Sequence, residues 1–200
     1  MNDDFSDRLQ EREFRALVLE ASNSGDYPGA IALLDCLIED NPDSAIDYNN
    51  RGLMYFYNGQ HDGAIADFDR AIALNPRLDN AYNNRANCYA AMGDLASAIA
   101  DYDIALDFNP TNARAWVNQA ITYRELGLYD LALENFDIAL VLGRRLQGRI
   151  YAERGRTYQL RGDWNCALGD YQRALEARSS HRYERRVKAW QEELLAPASA

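Results

Sequence analysis

Apolar residues along this chain fall into pairs of helically spaced stripes separated by a glycine, and the arrangement returns every 34 residues. DYNNRGLMYFYNGQHDGAIADFDRAIALNP from Asp47 aligns with AYNNRANCYAAMGDLASAIADYDIALDFNP from Ala81 and AWVNQAITYRELGLYDLALENFDIALVLGR from Ala115. Spacing of this kind predicts helices, because residues three and four apart share one face. Glycine follows each first stripe at Gly25, Gly59, Gly93, Gly127 and Gly162. Glycine enters the left-handed conformation cheaply and so ends a helix there. Pro42, Pro76 and Pro110 stop the second helix of the first three units, since proline cannot continue one. The reading is therefore all-α, a solenoid of helix–turn–helix units at 11–44, 45–78, 79–112, 113–146 and 148–181. Residues 1–10 form an N-terminal segment with the start of the first helix.

Small and large residues alternate where neighbouring helices must meet. Ala30, Ala64, Ala98, Ala132 and Ala167 share one place of the unit, and Gly52, Ala86, Ala120 and Gly155 another. Rings fill the space between them, at Tyr55, Tyr89, Tyr123 and Tyr158 and at Phe68, Tyr102, Phe136 and Tyr171. Such alternation lets helices interdigitate at native density.

With these residues in place, the chain resembles the tetratricopeptide repeat family over about 170 of its 200 residues. That resemblance implies antiparallel helix pairs stacked into a right-handed superhelix, with a concave groove lined by the first helix of each unit. It also implies a non-enzymatic scaffold that binds a protein or an extended peptide, in keeping with assembly of a larger complex. The first unit departs from the pattern, with Val18, Ala21 and Leu37 in place of Gly/Ala, Tyr and Ala. The fourth ends in GRRLQG instead of NP, which predicts either a change of superhelical twist or a longer loop. Beyond the fifth unit, Tyr183, Val187, Trp190 and Leu194 make one apolar stripe on a helix at 182–195. It resembles the capping helix of such arrays; a homodimer contact through Tyr183, Val187 and Trp190 is the alternative to a monomer, and with it a self-associating structural or assembly protein acting through the terminal helix or the convex face. The tail at 196–200 is expected to fray.

Charge sharpens this picture. Residues 1–143 hold 9 basic and 24 acidic side chains, a balance of −15, whereas residues 144–188 hold 12 and 5, a balance of +7. An acidic body disfavours nucleic acid. No apolar run approaches the roughly 18 residues that would cross a membrane. The acidic, polar start MNDDFSDRLQ lacks a signal-peptide layout, and the expected location is the cytoplasm.

Catalytic chemistry finds little support. Cys36, Cys88 and Cys166 occupy three different places of the unit, and His61 and His181 are the only histidines. A zinc site needs about four such ligands, so no metal or cofactor is expected and the cysteines read as packing residues. The paired carboxylates Asp67 and Asp69, and Asp101 and Asp103, stand two apart and cannot face each other. They read as a solvated outer face.

Binding residues are sought on the groove face that the resemblance implies. Asn50, Asn84 and Asn118 recur once per unit at its sixth place, with Asn49, Asn83 and Asn87 close by. Amides both donate and accept, so a row of them suits the backbone of an extended peptide. Tyr57 is the candidate aromatic anchor, and Arg114, Arg124, Arg149 and Arg156 add positive charge to the later units. Asn87, Asn118 and Arg149 also stand at places where relatives clamp a carboxylate. Asn83 replaces an expected lysine there, and Glu153 an expected cation.

Overall fold

The computed structural model describes residues 2–177 and 181–195, with the side chains of 12–177 and 183–195. All regular structure in these residues is helical. The first helices are α1 (Asn2–Ser24), α3 (Ala45–Tyr57), α5 (Asp79–Met92), α7 (Ala113–Glu125) and α9 (Gln147–Arg161). The second helices are α2 (Tyr27–Asp40), α4 (His61–Leu74), α6 (Leu95–Phe108), α8 (Tyr129–Leu142) and α10 (Trp164–Glu176), and α11 (His181–Leu195) closes the set. The expected fraying at 196–200 and the last residues of the fifth frame, 178–180, lie outside the described residues.

Local chemistry fixes the helix ends. All five turn glycines have positive φ, from 75° at Gly127 to 95° at Gly162, a region that a side chain resists. Capping oxygens satisfy free N–H groups that open several of the helices. Asp26 accepts from Gly29, Ser44 from Asp47 and Asn112 from Ala115. Asp94 accepts from the Ser97 N–H at 3.1 Å, and bonding to Ser97 holds its carboxyl below the usual range. At the GRRLQG junction there is no long loop. Gly143 ends α8, and a single 3-10 turn, Arg144–Leu146, feeds straight into α9.

The helices form two compact units, Met1–Phe108 and Asn109–Ala200. In the first, α1–α6 pack in sequence, with α2 also touching α3 and α4 touching α5. Its core is a row of small clusters: Ala30, Leu34, Leu37 and Met54; then Ala64, Phe68 and Cys88; then Ala86, Ala98 and Tyr102. In the second unit, Phe136 and Ile150 anchor one cluster and Tyr171 and Val187 the other. Within each unit the described repeats thus bury their apolar faces against their neighbours.

Charged staples run through both units, and they overturn the reading of a solvated face for Asp67 and Asp101, whereas Asp69 and Asp103 are exposed as expected. Arg51 on α3 grips Asp67 of α4 through Nε and Nη2, both at 2.7 Å, and reaches Asp35 of α2 with Nη1. Arg85 repeats this with Asp101 and Asp69, and Arg154 with Asp170 and Asp137. Asp67, Asp101 and Asp170 are buried. Each guanidinium also lies over two tyrosine rings, Tyr48 and Tyr55 in the case of Arg51. These contacts raise the three arginines further above their ordinary pKa, the bond to aspartate being the largest cause for Arg51 and Arg85; for Arg154, burial, the largest influence, opposes the rise. In the fourth repeat both partners change together: Gln119 stands for arginine and Asn135 for aspartate, joined by a buried 2.8 Å bond.

Candidate functional site

The first unit turns its YNN segments into a relay of amides. Asn83 Nδ2 donates to Asn84 Oδ1 at 3.3 Å, Asn84 Nδ2 to Asn49 Oδ1 at 3.0 Å, and Asn49 Nδ2 to Asn50 Oδ1 at 3.3 Å. Four side chains from α5 and α3 are thereby joined head to tail, an arrangement in which each bond polarises the next. One end is sealed, because Asn83 Oδ1 is buried without a partner. The other end is Asn50, half-buried, whose Nδ2 remains a donor.

This geometry revises the expected roles. Asn49 and Asn83 lie inside the fold, not on its surface, and act as links between Asn50 and Asn84. Asn87 accepts from the Tyr102 hydroxyl at 2.7 Å and so braces its own repeat. Tyr57 is 52% exposed and sits between the rings of Tyr27 and Phe56, with centroids 5.5 and 5.7 Å away.

The second unit places charge on the corresponding face. Glu153 occupies the sixth place of the fifth repeat, on α9, is 2% exposed, and holds Arg124 of α7 through Nη1 at 2.8 Å. The Tyr183 hydroxyl donates to its other oxygen at 3.4 Å, and Arg186 stands 3.5 Å away, both from α11. Burial pushes the Tyr183 hydroxyl up in pKa, and the adjacent Glu153 adds to this. Arg149 donates through Nη2 to Asn118 Oδ1 at 2.9 Å, while its buried Nε has no partner. Arg114 is exposed and has no carboxylate partner among the described residues.

Two expected sources of free positive charge are therefore spent. Arg124 neutralises Glu153, and Arg156 pairs with Glu193 at 2.8 Å beneath the Trp190 ring. The carboxylate of Glu153, which stands where a cation was expected, is met by cations of its own chain. The α11 stripe is likewise committed. Val187 is fully buried and Trp190 stacks on Tyr171 at 6.2 Å, so Tyr183, Val187 and Trp190 face the fifth repeat.

The cysteines divide by exposure: Cys36 and Cys166 are exposed, against the packing expectation, and only Cys88 is buried. The fold brings Cys88 to 3.8 Å from His61 Nδ1, with its thiol donating to the His61 carbonyl at 3.6 Å. Burial, then Asp62, raises the thiol pKa, the reverse of what a thiolate nucleophile needs. Among the described residues no cluster of histidine, cysteine or carboxylates is placed to hold a metal ion. No helix among them is long and apolar enough to cross a membrane.

The staples and the Glu153 hub are what reading the sequence missed. A signal for the first exists: an arginine followed 16 residues later by an aspartate at Arg51, Arg85 and Arg154, with Gln119 and Asn135 changing as a pair.

Comparison with protein families matches the descriptions "TPR repeat" over residues 52–93 and "Tetratricopeptide repeat" over residues 80–112 and 111–177. The chain belongs to the tetratricopeptide repeat family. No curated protein matches it. Among solved structures, this tetratricopeptide chain is similar to TTC0263, a thermophilic protein of the same family in Thermus thermophilus. The two share 21% identity and a TM-score of 0.80, covering 90% of this chain and 97% of that one. MamA matches at 21% identity and a TM-score of 0.68, covering 86% and 97%. YrrB, described as a tetratricopeptide protein with an unusual peptide-binding site, matches at 16% and 0.65, covering 92% and 97%. Adjacent helix pairs of this kind are the architecture of tetratricopeptide solenoids.

Proposed function

We propose that this tetratricopeptide chain is a non-catalytic scaffold that binds an extended protein segment along the first-helix faces of its repeats. The observation that carries this reading is the asparagine relay of the first unit. Its bonds run from Asn83 to Asn50, where Nδ2 emerges as a hydrogen-bond donor. Asn84, half-buried beside it, keeps a second amide hydrogen and a lone pair for the alternating groups of a peptide backbone. Tyr57 supplies an exposed ring for side-chain packing. Of the four groove arginines, Arg149 and Arg114 are left for acidic side chains. That a structural neighbour such as YrrB carries a peptide-binding site supports the same reading. Binding is expected in the micromolar range, about −8 kcal/mol.

The test is a tagged pull-down from source lysate, read by mass spectrometry. The wild type is compared with a variant carrying Asn50→Ala, Asn84→Ala and Asn118→Ala, once circular dichroism shows equal helicity. A partner lost from the variant supports recognition by these faces. Partners retained equally would move the function to another surface.

A further inference from the structure

In the first unit, a cleft of about 390 Å³ opens where α1, α2 and α3 meet. Leu34, Leu37, Leu53 and Met54 form its apolar lining, Leu19 stands at its edge, and Asn50 lies on its wall. Its volume lies in the range of ligand pockets, roughly 300–1,000 Å³.

The cleft has a cause in the sequence. Leu34 stands at the place where later repeats carry the rings of Phe68, Tyr102, Phe136 and Tyr171, and Ala21 where they carry Tyr55, Tyr89, Tyr123 and Tyr158. In the second repeat the Phe68 ring packs so closely that a Cβ at Gly52 would meet it at 2.8 Å. The first repeat lacks both rings. Val18 and Leu37, larger than their counterparts Gly52 and Ala71, leave part of the missing volume open.

The polar atoms on the walls define what fits. Arg15 is held by both oxygens of the buried Asp47, at 2.6 and 3.0 Å, so its charge is met within the chain. Asn50 already accepts from Asn49, and its Nδ2 is a donor without an acceptor. The lining therefore calls for an uncharged, apolar group carried next to a hydrogen-bond acceptor. A large apolar side chain of a peptide, with its own backbone carbonyl, is such a group.

We propose that this cleft is an anchor pocket for a leucine-, methionine- or phenylalanine-like side chain of the bound segment, whose adjacent carbonyl accepts from Asn50 Nδ2. The proposal rests on the reading of the asparagine faces as a peptide site, and it adds what the peptide must contain. Filling the pocket with the ring of the later repeats, Leu34→Phe, closes it from within. Leu19→Glu, at a side chain 63% exposed, places charge at its mouth without touching the packing.

A phage-displayed library of random linear peptides, selected on the full chain, tests this. Enriched peptides are synthesised with a fluorescent label and titrated against wild type, Leu34→Phe, Leu19→Glu and Asn84→Ala. The expected result is a large apolar residue at one fixed position and binding at least about tenfold weaker to both cleft variants. Should Leu34→Phe fail to fold, Leu19→Glu decides alone. Peptides without a shared apolar residue, or bound equally by the cleft variants yet lost with Asn84→Ala, overturn the pocket and leave the peptide site standing. No enrichment on any form overturns both.

Discussion

The sixth place of the repeat carries opposite chemistry in the two units. In the first it holds Asn50 and Asn84, joined through Asn49 by neutral bonds and half open to solvent. In the second it holds Asn118 and then Glu153, a buried carboxylate that gathers Arg124, Tyr183 and Arg186 from two other helices. The neutral row leaves donors over for a ligand. The charged hub consumes its own and ties the closing helix to the array. One repeat place can thus serve recognition in one unit and cohesion in the other.

The comparison breaks most severely at Glu153. Glu153→Ala leaves Arg124 buried without its carboxylate and is expected to cost about 3–5 kcal/mol, read as a lower midpoint in urea unfolding followed by circular dichroism. A midpoint equal to wild type would show that the hub holds nothing together. Asn84→Ala, in the neutral row, is expected to shift the same midpoint far less.

The staples allow a second, smaller test of neutral against charged pairing. Arg51→Gln strands the buried Asp67 and is expected to cost about 2–3 kcal/mol. Adding Asp67→Asn recreates the pair that Gln119 and Asn135 already make in the fourth repeat, and most of the loss is expected to return. A double variant no more stable than Arg51→Gln would contradict this.

The smallest effect is alkaline. Burial raises the hydroxyl pKa of Tyr158, Tyr171 and Tyr183 in the second unit. A folded value above the unfolded one means that the proton is held more tightly in the native chain. Their contribution is complete below about pH 10 and is lost as pH rises through the raised values. Tyr183→Phe is expected to lessen the fall in melting temperature above about pH 10. An identical alkaline profile would place the sensitivity elsewhere.

Helices and turns were legible in the sequence because they depend on local signals: apolar spacing, glycines that later show positive φ, and prolines after the second helices. The family followed from the same signals. The interior of the site was harder to read. Asn49 and Asn50 differ by one letter of position, yet one is a buried link and the other a free donor, since neighbouring residues on a helix point about 100° apart. Arg124 and Arg114 read alike as groove cations until the fold sets Glu153 beside one of them. Asp67 and Asp101 looked like solvent-facing charge because burial of a carboxylate requires a partner, and theirs stands 16 residues away on another helix. The GRRLQG junction left twist and loop open because its length alone does not specify a 3-10 turn.

The distribution of thiols gives the molecule built-in handles. Cys36 on α2 and Cys166 on α10 are exposed, one in each unit, whereas Cys88 is enclosed and has its thiol pKa raised. Maleimide dyes should therefore attach at two addresses and spare the third. An unaltered chain would then carry one labelled site in each unit, each reporting in solution on its own surroundings when a ligand arrives.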